Sequence, residues 1–327
     1  MNFHIINSNY NDFTPTQNRI MVATGIILVL LYLALFVWTC FNIKHYIVDQ
    51  QRYKTFSVLI FYILAVADEL FRIVMYLGVV LVVMQTPGVW FSHPYIYNCC
   101  YVVTACVMVM MGFFQAASML SLALRIGNPH SKKVHSWEKN IYGLVIFINL
   151  TAFGWCVYFS YEISKIEIQG AKSCDVPDLY SCPAARESWK SFMYFFGWVT
   201  ATYFCVLTLV LIVSFVILLR SMNKFTHATV STLKKSITYL FGLLVLSYTL
   251  RSAILLGEGH YGFVQVWSRQ ELQLFLWPIL DFTTLIPILL MHYQNFSLKK
   301  KVKTEINVSI VEAELDVKIE EDLKRTS

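Results

Sequence analysis

Residues 20–38 read IMVATGIILVLLYLALFVW, and no charged side chain interrupts the chain between Arg19 and Lys44. About 20 apolar residues in a helix cross the roughly 30 Å hydrocarbon core of a bilayer. The run is too long for a signal-peptide core and no small-residue cleavage site follows it, so it reads as a retained membrane helix. Six further apolar stretches follow, at 56–84, 97–124, 141–161, 192–219, 236–257 and 272–293.

Composition points the same way. The 327 residues are 57% hydrophobic and 14% charged, with a mean hydropathy of +0.56. Soluble domains carry about 25% charged residues. A chain this apolar cannot cover itself with polar surface, which makes lipid its solvent. Its many aromatics lack the dyad alternation of a membrane β-barrel. Helices remain, because a backbone in lipid must satisfy its own hydrogen bonds. The expected fold class is all-α: a seven-transmembrane-helix bundle over 20–293, with a short tail at 1–19 and a second tail at 294–327. No internal repeat appears. The net charge of +6 is no nucleic-acid signal, since most Lys and Arg lie in short segments between apolar runs.

Those basic residues orient the bundle. One set of connecting segments and tails holds eighteen Lys and Arg, the other six. Cytosolic segments are the basic ones, so the N-terminus is expected outside or in the lumen and the C-terminus in the cytosol. Cys99, Cys100, Cys174 and Cys182 all fall on the outer side, where an oxidising compartment permits disulfides. A bridge from the start of helix 3 to the loop at 162–191 would pin that loop over the bundle. A local Cys174–Cys182 bridge and free thiols stay open as alternatives, because spacing does not assign connectivity.

Charge recurs where lipid should exclude it. LAVADELFRIV, residues 64–74, places Asp68, Glu69 and Arg72 in the middle of the second apolar stretch. Arg251 and Asp281 lie inside the sixth and seventh. A charge facing the bilayer centre costs at least about 2.5–3.5 kcal/mol, so the five are expected to face inward and to pair across helices 2, 6 and 7. Asp68 and Arg72 share a face at i, i+4, which suggests an Asp68–Arg72 pair joined to an Arg251–Asp281 pair. The network could hold helix register, act as a switch or polar-ligand site, or line a proton or ion path. Pro278 and Pro287 bracket Asp281, each freeing a backbone carbonyl, and mark helix 7 as the candidate for a kink.

Enzyme chemistry finds no support. No histidine lies deep in a span to serve a zinc or haem site, helix 7 has no Lys for a retinal Schiff base, and no Gly-rich phosphate loop or matched nucleophile and base is present. No catalytic residue, metal or cofactor is expected.

Two resemblances bear on function. LAVAD (64–68) and the topology are similar to rhodopsin-like G-protein-coupled receptors. Helix 3, however, ends LSLALRIGN, without the acidic residue before its Arg, and helix 7 lacks the Asn before Pro287. ELFRIVMY (69–76), FGLLVLSYTLRSAILL (241–256) and DFTTLIPILLMHYQNFSLKK (281–300) resemble a seven-helix family that includes plant tobamovirus multiplication proteins and animal orphan receptor-like lysosomal proteins. That resemblance implies an endomembrane (lysosome- or vacuole-like) scaffold recruiting small GTPases or other cytosolic machinery through its inner loops, with Arg72, Arg251 and Asp281 as family-matching residues. The function expected is a receptor-like or scaffold protein in such a membrane or the plasma membrane. Its partners would be the lipid bilayer and a small GTPase or G protein on the cytosolic side. The alternatives are a transporter or channel through the charge cluster and a G-protein-coupled receptor.

Overall fold

Proline opens three of the helices. α1 (Pro15–Asp49), α3 (Pro94–Gly127) and α5 (Pro183–Met222) begin on a residue whose missing N–H would find no acceptor within the helix. Between them run α2 (Phe56–Gln85) and α4 (Lys132–Ser173), followed by α6 (Ala228–Tyr261) and a shorter α7 (Trp277–Met291). The computed structural model describes residues 15–49, 56–85, 94–127, 132–173, 183–223, 228–261 and 276–291, and among them the fold is all-helical. α3 is described as far as Gly127.

Five helices are long and apolar enough to cross a membrane, over Arg19–Lys44, Cys99–Arg125, Lys133–Ile166, Lys190–Met222 and Lys234–Gly257. α2 carries its three charges in mid-helix, and α7 is described over a length of about 22 Å. Several helices outrun their apolar stretches. α4 starts at Lys132 where the apolar pattern starts near 141, and α5 starts at Pro183 rather than 192. Once nucleated, a helix extends cheaply through polar sequence free of internal proline.

α3 is the central helix. Of its span, 78% is buried, against 22–39% in the other four. Small residues let its neighbours close in, including Ala105, Ala116, Ala117 and Gly112. A Cβ at Gly112 would collide with the Leu207 side chain of α5 and sit 3.0 Å from the Tyr248 hydroxyl of α6. The outward faces are apolar: Leu30, Phe147, Leu150 and Leu209 are each about three-fifths exposed. Such a belt would drive aggregation in water and suits lipid. The chain is an integral membrane protein.

Candidate functional site: a buried charge node

α2, α6 and α7 turn all five of their mid-helix charges inward. Asp68, Glu69 and Asp281 have no exposed surface, and Arg72 and Arg251 almost none. Asp281 is the hub. Its Oδ1 accepts from Arg251 Nη2 of α6 at 2.6 Å and from Arg72 Nη2 of α2 at 3.1 Å. Its Oδ2 accepts from the Tyr32 hydroxyl of α1 at 2.6 Å. Arg72 Nε lies 2.9 Å from the same oxygen, an ion-pair approach without hydrogen-bond alignment. One carboxylate thus joins four helices.

Neighbouring rings fix the donors. Tyr32 stacks between Tyr76 of α2 (5.7 Å) and Phe282 of α7 (4.9 Å), which points its hydroxyl at Asp281. The Arg251 guanidinium lies 5.6 Å from the centre of the Trp277 ring, where the π face favours a cation. One turn away, the Ser247 hydroxyl of α6 is 2.9 Å from the Leu280 carbonyl and 2.7 Å from the Thr284 hydroxyl of α7. The structure pairs Arg251 and Asp281 directly.

The pairing on α2 differs from expectation. Arg72 does not hydrogen-bond Asp68; its Nε and Nη2 edge is turned to Asp281, because a guanidinium fork matches both oxygens of a carboxylate presented from another helix. Glu69 faces α1, where its Oε1 accepts from the Thr39 hydroxyl at 2.6 Å. Asp68 has no hydrogen-bond partner on either oxygen. The charges acting on it are those of Arg72, Asp281 and Arg251.

A second polar cluster was not foreseen. Glu138 of α4 is buried and receives Ser121 at 2.5 Å and Arg125 through Nε at 2.5 Å and Nη2 at 3.1 Å, all from α3. Arg125 and Glu138 read as parts of an inner loop because α4 begins well before its apolar pattern. The available signal was a lone acid among Arg125, Lys132, Lys133 and Lys139. Tyr32 and Thr39 were also missed; within an apolar run, a single hydroxyl gives no warning of its role.

Of the two prolines, Pro278 is the second residue of α7 as bounded, and the residues before 276, on which its effect on the helix depends, lie outside the described residues. Pro287 is interior and leaves the carbonyl of Thr283 without its usual N–H donor. No disulfide joins two described residues, and Cys100 is a buried thiol. Cys174 and Cys182 lie outside the described residues, as do the tail at 294–327 and most of the tail at 1–19. Among the described residues, no three His, Cys, Asp or Glu side chains converge as metal ligands. Comparison with protein-family models, curated proteins and solved structures returned no match for this chain.

Proposed function

We propose that this chain is a seven-pass, receptor-like or scaffold protein whose conformation is held by the Asp281 node. In this reading its cytosolic loops and tail engage a small GTPase or G protein. The observation that carries it is the saturation of Asp281: a fully buried carboxylate with both oxygens engaged by three donors from three other helices. Such a node biases helix arrangement, and breaking it shifts helices that end at the basic face. Seven crossings, with the N-terminus outside, follow from the charge bias. They are supported by α2, whose charges face inward while Ile63, Leu70, Val74 and Leu77 face outward. Proximity labelling from the C-terminal tail should enrich a GTPase, and Asp281→Asn should change that enrichment at matched expression. Equal labelling in both forms, with no enriched GTPase, would reject the reading.

Asp68 favours a second reading, a proton- or cation-coupled carrier. Three acids against two arginines leave the cluster one negative charge in excess when all are ionised. A buried carboxylate that accepts no hydrogen bond is disfavoured unless it is neutralised. Ion or proton uptake into proteoliposomes, abolished by Asp68→Asn, would replace the scaffold reading with this one.

A further inference from the structure

α4 and α5, which contribute nothing to the Asp281 node, enclose a groove open to the outside of the bundle. A cavity of about 480 Å³ is lined by Thr151, Gly154, Trp155, Tyr158 and Phe195. A second, of about 530 Å³, shares Tyr158 and Phe195 and continues past Glu162 and Ser191. Each falls within the range of small-ligand sites, about 300–1,000 Å³. We propose that this groove binds a membrane sterol, with its rigid ring system on the aromatic floor and its hydroxyl at the charged rim.

The surrounding phase comes first. The floor residues lie within the spans Lys133–Ile166 and Lys190–Met222, so the groove opens into lipid and not water. The floor is preformed. Trp155 meets Tyr158, Phe159 and Phe195 at ring separations of 5.7, 5.6 and 5.6 Å, and Phe159 in turn meets Phe195 at 5.8 Å and buried Phe196 at 5.0 Å. Rings locked in this way present a fixed surface. Gly154 flattens it, for nothing lies within 4 Å of where its Cβ would stand. A rigid body loses little conformational freedom on such a surface, whereas an acyl chain must surrender many rotamers.

Polarity is graded along the groove. At the deep end, the Thr151 hydroxyl is already engaged, donating to the Ile148 carbonyl at 2.7 Å and accepting from Tyr203 at 3.0 Å. Eleven residues further along α4, about 17 Å, Glu162 pairs with Lys165 at 3.8 Å, and across the groove Glu187 pairs with Lys190 at 2.7 Å. Both of these lysines are therefore paired with carboxylates, and neither is free to hold a phosphate, which seeks charge-assisted donors. The rim does present carboxylate oxygens that can accept from an uncharged hydroxyl. A neutral head on a rigid apolar body is the amphiphile that fits both ends.

The test uses the full-length protein in phosphatidylcholine liposomes with a photoactivatable sterol. Crosslinks should map to peptides containing Tyr158 and Phe195, and excess unlabelled sterol should reduce them about tenfold. Gly154→Phe should fill the open space, fold to the same yield and lose the crosslinks to the same degree. A photoactivatable phosphatidylcholine is the control. Labelling of these peptides by the phospholipid, undiminished by sterol, would show only boundary lipid and overturn the proposal. So would full sterol labelling of a folded Gly154→Phe protein. Should that variant fail to fold, the wild-type competition decides alone.

Discussion

Asp281 and Asp68 are both acidic, both buried and both in mid-helix, yet they should behave oppositely when neutralised. Asp281→Leu leaves the guanidinium groups of Arg72 and Arg251 buried without the carboxylate they share. Breaking a buried pair costs about 3–5 kcal/mol, so folded monomer in detergent should fall sharply and the melting temperature with it. Tyr32→Phe removes one hydroxyl donor to the same carboxylate, worth about 1.5–3 kcal/mol, and should give a smaller drop by the same assay. Asp68→Asn removes a charge that has no hydrogen-bond partner to lose. Its melting temperature should hold or rise; a fall as large as that of Asp281→Leu would mean that Asp68 has a partner the node does not include. At this scale the sequence marked the charges set within apolar helices, and all five are buried. Residues spaced along a helix reveal how far apart the charges lie along its axis. They do not reveal azimuth to better than a face, and azimuth decided that Arg72 reaches α7 while Glu69 reaches α1. Tyr32 was illegible for a related reason: its partner is 249 residues away, and nothing local marks it.

Helix existence was far easier to read than helix length. Lipid imposes a window of about 20 apolar residues, and each of the seven stretches lies within or largely overlaps a helix. Beyond the bilayer that constraint lapses, and the polar extensions of α4 and α5 resemble loops. Helix packing supplies a prediction here. Gly112 of α3 faces fully buried Leu207 and Tyr248, so a side chain at 112 must push α5 or α6 outward. Overpacking costs about 1–3 kcal/mol; Gly112→Val should therefore lower the melting temperature measurably. Gly242 of α6 and Gly143 of α4 have open space at the same position. Gly242→Ala should be neutral or slightly stabilising, since alanine favours helix by about 1 kcal/mol over glycine. Equal losses from both substitutions would mean that α3 is not the close-packed centre of the bundle.

For the whole molecule, the decisive question is whether α2 and α7 cross. Five crossings and seven both place the two termini on opposite sides, so tagging the termini cannot separate them. The segments between helices can. With seven crossings, residue 92 shares a side with the N-terminus and residue 131 shares a side with the C-terminus. If α2 merely lies within the bundle without crossing, both assignments reverse. Single-cysteine reporters at Ser92→Cys and Ser131→Cys, in a background lacking the native cysteines, would be probed with a membrane-impermeant maleimide on sealed vesicles. On the proposed orientation, the cytosolic face carries the basic segments, including Lys132, Lys133 and Lys139. A cysteine at 131 should accordingly label only from the cytosolic side, and one at 92 only from the other. The reversed pattern would place α2 outside the set of crossing helices. It would also require Asp68, Glu69 and Arg72 to reach their buried positions without traversing the hydrocarbon. With seven crossings, α2 would enter as a full span, its charges neutralised by the helices packed against it.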